Sequence, residues 1–223
     1  MRIRRKPWAR PELEACEFCV KNPAELKGKW KHSFAKEQPL HVELGCGKGG
    51  FISQVSAANQ DINYVAIDIK SEMAAYARRK TVAEFEKAGI DKIENVKLLV
   101  HNVENISEVF DENDEADRIY INFCNPWPRG KHKKRRLTFP KKLMVYKTFL
   151  TEEGEIWFKT DDDELFEESL EYFAEAGYRV KFLTRDLKNE SGIENFVTEH
   201  ETMFMNEGKK IKFLIAEPDS ENN

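Results

Sequence analysis

The chain has 223 residues, of which 40% are hydrophobic and 34% charged, and its formal net charge is −4. This composition suits one core-bearing domain with an appendage at one end. It excludes a membrane protein, because no apolar run approaches the roughly 20 residues of a span, and the basic opening MRIRRKPWARPE lacks the apolar stretch of a secretory signal, so a cytoplasmic protein is expected.

An irregular arm is expected over residues 1–37. Its start is basic, with Arg2, Arg4, Arg5, Lys6 and Arg10, and it holds Cys16 and Cys19 as a Cys-x-x-Cys. That spacing is half of a zinc site. Two more ligands would be needed, and neither a second Cys-x-x-Cys nor a His-x-x-x-His follows, so reduced, partly buried thiols are expected and no metal. From residue 38 strands and helices alternate. LHVEL (40–44) reads as a buried strand, followed by a glycine-rich turn and a helix over about 50–59. NYVAIDI (63–69) is the second strand, and a helix over about 71–87 ends near Gly89. NVKLLV (95–100) precedes a short helix near 105–110, and RIYINF (118–123) is the fourth strand. A helix near 140–150 leads to GEIWFKT (154–160). The helix over about 163–176 sets Phe166, Leu170 and Phe173 on one face. YRVKFLT (178–184) and IKFLIAE (211–217) complete a set of seven strands. Such alternation predicts an α/β fold, a mostly parallel sheet with helices on both faces. Ligands of such sheets bind beyond the carboxyl ends of the strands.

The turn ELGCGKGG (43–50) satisfies G-x-G-x-x-G through Gly45, Gly47 and Gly50. The pattern alone admits a nicotinamide dinucleotide. Glu43, two residues before the first glycine, opposes that reading, because a carboxylate repels a pyrophosphate at this turn. It favours S-adenosylmethionine, which carries an ammonium and a sulfonium and no phosphate. Asp68, ending the second strand, stands where an acidic residue accepts from ribose hydroxyls. Asn102, after the third strand, is suited to the adenine edge or to capping the helix that follows.

After the fourth strand comes Asn125-Pro126-Trp127-Pro128, and then Arg129 to Arg136, in which six of eight residues are Lys or Arg. Two prolines fix φ and remove two N–H donors, leaving a Trp able to face a planar partner and an amide able to hold a base edge. Such a site suits an extruded nucleotide. The basic run suits its phosphates. The segment 151–177 is strongly acidic, so the charge is segregated, and screening confines each cluster's influence to about 10 Å.

In these motifs the chain resembles the bacterial tRNA (guanine-N7-)-methyltransferases. The resemblance covers nearly the whole chain: RIRRKPWA, NPAELKGKW, ELGCGKGGF, NPWPRGKHKKRRLT, WFKTD and VTEHE, in that order. It implies a class I S-adenosylmethionine-dependent methyltransferase, Rossmann-like, acting on a guanine of the tRNA variable loop. The expected organisation is a basic arm (1–37), a methyltransferase domain (38–217) and a polar tail (218–223). The resemblance places Glu43, Gly45, Gly47, Asp68, Asn102 and Asn125 at the cofactor, with Asn125 also catalytic. Arg129, Asp161, Thr198 and Glu201 fall at its substrate-contacting positions. Lys131, His132, Lys133, Lys134, Arg135 and Arg136 form its RNA-contacting run. The expected partner is tRNA, with no membrane, and the protein a monomer or homodimer.

The family usually carries Asp where this chain has Asn102 and Asn125, and commonly Lys in place of Arg129. Two lost carboxylates leave open a tRNA-binding protein of the same fold with weakened catalysis. Chemistry favours activity, because guanine N7 offers a lone pair and no proton, so the rate rests on alignment more than on a general base. Asp162, Asp163 and Glu164 read as N-terminal charges of the next helix. Thr198 and Glu201, three apart, are also the spacing of a capping box.

Overall fold

The computed structural model describes residues 5–219, so Arg2, Arg4 and the end of the 218–223 tail lie outside the described residues. The chain divides into two compact units, Met1–Asp114 and Glu115–Asn223.

The first unit carries β1 (Cys19–Val20), β2 (Leu40–Leu44), β3 (Asn63–Asp68) and β4 (Val96–Val100). They are parallel and lie in the order β1-β4-β3-β2. Every residue of β2 is buried, and all of β3 except Asp68. Such unbroken apolar runs are what strands covered on both faces require. Two helices follow the strands, α2 (Ile52–Ala58) and α3 (Ser71–Lys87). Register sets Leu44 beside Ile67 and Asp68 beside Val100, so the three long strands end together.

The arm is not irregular. It forms α1 (Ala9–Glu14), the strand β1 and two 3-10 turns, Pro23–Leu26 and Lys31–Ser33. Helix α1 docks on α3: Trp8 meets Tyr76 edge-on at 5.3 Å, and the Arg79 guanidinium lies 3.9 Å from the Trp8 ring centre. Arg79 Nε also donates to Glu12 Oε2 at 2.9 Å. A six-residue helix cannot persist on propensity alone, which is why α1 leaves no periodic trace in the sequence and depends on this docking. The arm's far end is anchored by Trp30, which is fully buried, stacks on Phe110 and donates Nε1–H to Val109 O at 2.8 Å. Asp114, also fully buried, accepts from the backbone N–H groups of Gly28, Trp30 and Asp111.

The second unit carries β5 (Ala116–Asn122), β6 (Leu150–Thr160), β7 (Tyr178–Thr184) and β8 (Lys212–Pro218). Strands β5 and β6 are parallel; β8 lies between β6 and β7, antiparallel to both. Its helices are α4 (Pro140–Lys147), α5 (Asp163–Glu175) and α6 (Glu199–Asn206). Helix α5 buries Leu165, Phe166, Ser169 and Phe173, and Asp162 caps it by accepting from Leu165 N–H at 2.7 Å. The described residues thus carry eight strands where the sequence predicts seven. The addition is β1, two residues long and invisible to any period.

Candidate active site

In the first unit the glycine-rich loop is tied to the neighbouring strand. The N–H groups of Gly45 and Cys46 both donate to Ile67 O at 2.9 Å, which carries the β2–β3 pairing past the strand end. Gly47 N–H donates to Asp68 Oδ2 at 3.0 Å and Lys70 N–H to Asp68 Oδ1 at 2.8 Å. Asp68 is therefore pinned at both oxygens, each keeping a lone pair. Gly49, at φ 77°, cannot be replaced without a clash, since a Cβ there would lie 2.5 Å from Ala77 Cα. Gly47, at φ 54°, has nothing within 4 Å of such a Cβ. One glycine lets α3 approach and the other borders open space.

Electrostatics around this loop are negative. Burial pushes the Cys46 thiol up, and the Glu43 and Asp68 carboxylates add to the rise. Burial also raises the carboxyl of Asp68 against the two N–H donors that lower it. Glu43 itself is 2% exposed at the end of β2. Ile69, immediately after Asp68, is 58% exposed, an apolar surface that strand reasoning did not single out. Asn102 caps the 3-10 helix Val103–Glu108 by accepting from Glu104 N–H at 3.1 Å. Its cap role is present, and its amide nitrogen stays at the strand end.

The buried carboxyl of Glu43 and the half-buried one of Asp68, around an open glycine turn, fit S-adenosylmethionine. The ligand is cationic where Glu43 is anionic, offers ribose hydroxyls to Asp68, and brings no phosphate to be repelled. No group of three or more His, Cys, Asp or Glu able to hold a metal occurs among the described residues.

In the second unit the loop after β5 is held in an uncommon shape. Phe123 and Trp127 both have positive φ, 50° and 42°, a conformation bulky side chains avoid. Two hydrogen bonds enforce it. Phe123 N–H donates to Lys159 O at 2.8 Å, and Trp127 N–H donates to Asn125 Oδ1 at 3.1 Å. The second is an Asx turn, which an aspartate would close equally well. Asn125 is exposed and Trp127 half-buried. The Trp127 ring packs against His132 at 5.8 Å and under the Arg135 guanidinium at 5.2 Å.

The basic run is a 3-10 turn, Gly130–Arg135, and its cations are not equivalent. Arg129, Lys131, Lys134 and Arg135 are exposed, and His132 is half-buried. Arg136 is fully buried, donating Nε–H to Pro126 O at 2.7 Å and its other nitrogens to Glu168 (2.5 Å) and Glu164 (3.3 Å). Lys133 also reaches Glu164, at 2.8 Å, and Glu168. The acidic face of α5 therefore takes up two of the six residues expected at RNA. Burial and these partners, rather than solvent, surround Arg136, and its bond to Pro126 O ties it to the Asn-Pro-Trp-Pro loop.

Asp161 accepts from Lys209 Nζ at 3.0 Å, and its carbonyl from Lys212 Nζ at 3.0 Å. Its side-chain partner is thus Lys209. Thr198 caps α6, accepting from Glu201 N–H at 3.2 Å. Glu201 does not complete the capping box. It is 2% exposed and accepts from Lys159 Nζ and Asn195 Nδ2, both at 2.7 Å. Lys159 Nζ also donates to Asn195 Oδ1 at 2.8 Å and lies 5.6 Å from the Phe123 ring centre. Lys159 and Asn195 were not foreseen; only the buried Lys inside WFKT hinted at a partnered charge.

A family model described as "Putative methyltransferase" matches residues 37–214. Among solved structures, an antibiotic-related methyltransferase superposes with TM-score 0.60 at 17% identity, covering 88% of this chain and 94% of that one. The 16S rRNA methyltransferase KamB superposes with TM-score 0.61 at 12% identity, covering 86% and 93%. At that identity the likeness establishes the fold, that of class I methyltransferases. The tRNA (guanine-N(7)-)-methyltransferase of Clostridium beijerinckii is 58% identical over 220 residues, 99% of this chain and 100% of the relative. That of Ruminiclostridium cellulolyticum is 56% identical, covering 97% and 92%. The acid-lined glycine loop and the Asn-Pro-Trp-Pro turn thus sit in a chain that belongs to the tRNA (guanine-N(7)-)-methyltransferase family.

Proposed function

We propose that the protein is a cytoplasmic enzyme that methylates N7 of a guanine in the variable loop of tRNA. Membership of the family carries this reading. The site feature that supports it most directly is Asn125, exposed in a preformed Asx turn beside Trp127 and the exposed cations. S-adenosylmethionine supplies an electrophilic methyl group. Glu43 faces its positive charge, Asp68 accepts from its ribose, the turn at Gly45 and Gly47 lets it approach the backbone, and Asn102 and Ile69 border its adenine.

Guanine N7 attacks with a lone pair already available, so no residue has to remove a proton from it. The task left to the protein is alignment, which contributes up to about 7–11 kcal/mol in well-ordered systems. Asn125 keeps one lone pair on Oδ1 and its amide N–H₂ for the guanine edge and the donor. Arg129, Lys131, Lys134 and Arg135 hold phosphates, with His132 at their inner side. Asp161 reaches the substrate after exchange of its Lys209 partner. Thr198 and Glu201 set the start of α6 next to the substrate, with Glu201 fixed from below by Lys159.

The test is transfer of labelled methyl from S-adenosylmethionine to an unmodified tRNA transcript, mapped by reduction and aniline cleavage. A single cut in the variable loop is expected. Salt-dependent tRNA binding with no transfer would instead favour a binding protein of the same fold.

A further inference from the structure

Cys16 and Cys19 take no part in the site described above, yet their placement is specific. Cys16 follows α1 and Cys19 opens β1, paired with Leu98 of β4. Cys19 N–H donates to Cys16 O at 3.4 Å, closing a four-residue turn. Such a turn brings its end Cα atoms within about 7 Å, the range a disulfide spans. Both residues are free, buried thiols, joined across the turn by that backbone hydrogen bond. Arg78 of α3 borders the same cleft as Cys16, and its Nε is buried with no hydrogen-bond partner. Cys16 and Arg78 line one cleft of about 570 Å³ together with Phe85 and Ile90, and Cys19 lines another of about 620 Å³. Each cysteine thus borders a cleft of its own, although both are buried.

We propose that Cys16 and Cys19 form a redox-active dithiol that exchanges with low-molecular-weight disulfides, Cys16 being the nucleophile and Cys19 the resolving thiol. Cys16 Sγ attacks one sulfur of the small disulfide, whose S–S bond breaks and releases one thiol. Cys19 Sγ then attacks Cys16 Sγ, the mixed S–S bond breaks, and the second thiol leaves. Counted from two thiols, the protein loses two electrons and two protons, and the small disulfide gains them.

The surroundings separate the roles. The hydrogen bond from Cys19 lowers the Cys16 thiol against burial, and Arg78 adds to it. Cys19 moves the opposite way, raised by its bond to Cys16 and by burial. Burial raises the Cys46 thiol, and desolvation raises that of the half-buried Cys124 to about 12, so acidity and not exposure separates Cys16 from Cys124. A thiolate next to a guanidinium in Cys-x-x-Cys is the reactive form. Metal binding is a poor account of the pair, because no third ligand stands near it among the described residues.

The test uses the reduced full chain. Under brief iodoacetamide treatment at neutral pH, Cys16 is expected to label about tenfold faster than Cys124 or more, and Arg78→Met to slow it several-fold. Titration with oxidised and reduced glutathione is expected to yield one intramolecular disulfide, mapped to Cys16 and Cys19 and reversed by dithiothreitol. Cys19→Ser is expected to trap one glutathione on Cys16, and Cys16→Ser to trap none there or on Cys19. Equal labelling of all four cysteines, a disulfide through Cys46 or Cys124, or stoichiometric zinc released on alkylation would overturn the proposal. The labelling and titration of the unaltered chain decide it even where a variant folds poorly.

Discussion

Lys159 Nζ lies 2.7 Å from Glu201 Oε2, and both side chains are almost wholly out of water. Asn195 bridges them from the side, so each charge is paired and hydrogen-bonded. Removing one member leaves the other buried and uncompensated, at about 3–5 kcal/mol. Lys159→Met should therefore lower the unfolding free energy, measured by urea titration, by that amount. Lys159→Met with Glu201→Leu should recover much of the loss. A double variant as unstable as the sum of the singles would show that the two charges are not coupled.

The cations of the basic run should separate by salt dependence. Alanine at Lys131, Lys134 or Arg135 should reduce the slope of log Kd for tRNA against log salt by about one unit each. Arg136→Lys should leave that slope unchanged and lower kcat, because it releases Pro126 O and loosens the loop. A slope change of one unit for Arg136→Lys would return that residue to the RNA-contacting set.

At Asn125 the side-chain oxygen closes the turn, and the proposed function gives the rest of the amide to the ligand. Asn125→Asp keeps the turn and adds a charge that favours the positive base formed on methylation. It should hold or raise kcat. Asn125→Ala loses both functions and should lower kcat by about ten- to a hundredfold. An alanine variant faster than the parent would remove Asn125 from the reaction.

Two glycines of the 43–50 loop should fail differently on substitution. Gly49→Ala drives a Cβ into Ala77 of α3 at left-handed φ and should cost about 2–4 kcal/mol of stability. Gly47→Ala meets open space, so only the backbone conformation costs, about 1–2 kcal/mol. Its larger effect should be on S-adenosylmethionine affinity, measured by calorimetry. Unchanged affinity would place the donor elsewhere.

Glu168 predicts a pH effect. Burial raises its carboxyl, but hydrogen bonds from Lys133 and Tyr172 and the charge of Arg136 outweigh this and hold it at about 2 against an ordinary 4.5. A carboxyl lower in the folded than the unfolded chain stabilises the fold above 4.5, and this is lost as pH falls through about 2. The stability gap between the parent and Glu168→Gln should thus be full near pH 6 and close on acidification. Urea titrations across that range measure it. A constant gap would mean that Glu168 is not held down by its partners.

Much of the fold was legible because each strand is a short apolar run ended by a turn or an acid. Helix α3 and strand β7 fall where the pattern puts them, over Ser71–Lys87 and Tyr178–Thr184. The arm was not legible, since α1 and β1 are too short for periodicity and exist through contacts with α3 and β4. The positions of Glu43 and Asp68 followed from strand ends. The burial of Arg136 did not, because in sequence it is one more cation in a run, and the acids that draw it inward lie 28 and 32 residues on. Glu201 was hidden likewise, its lysine being 42 residues away.

The backbone at Phe123 and Trp127 also bears on which partner must yield. A loop locked at positive φ by its own hydrogen bonds behaves as a die and not as a mould. Deformation on contact then falls on the nucleic acid. Unstacked loops and hinged junctions accept it at little cost, while a continuous A-form helix resists. Selectivity for a pliable stretch of RNA would then come from the stiffness of the protein, at positions where no base is read.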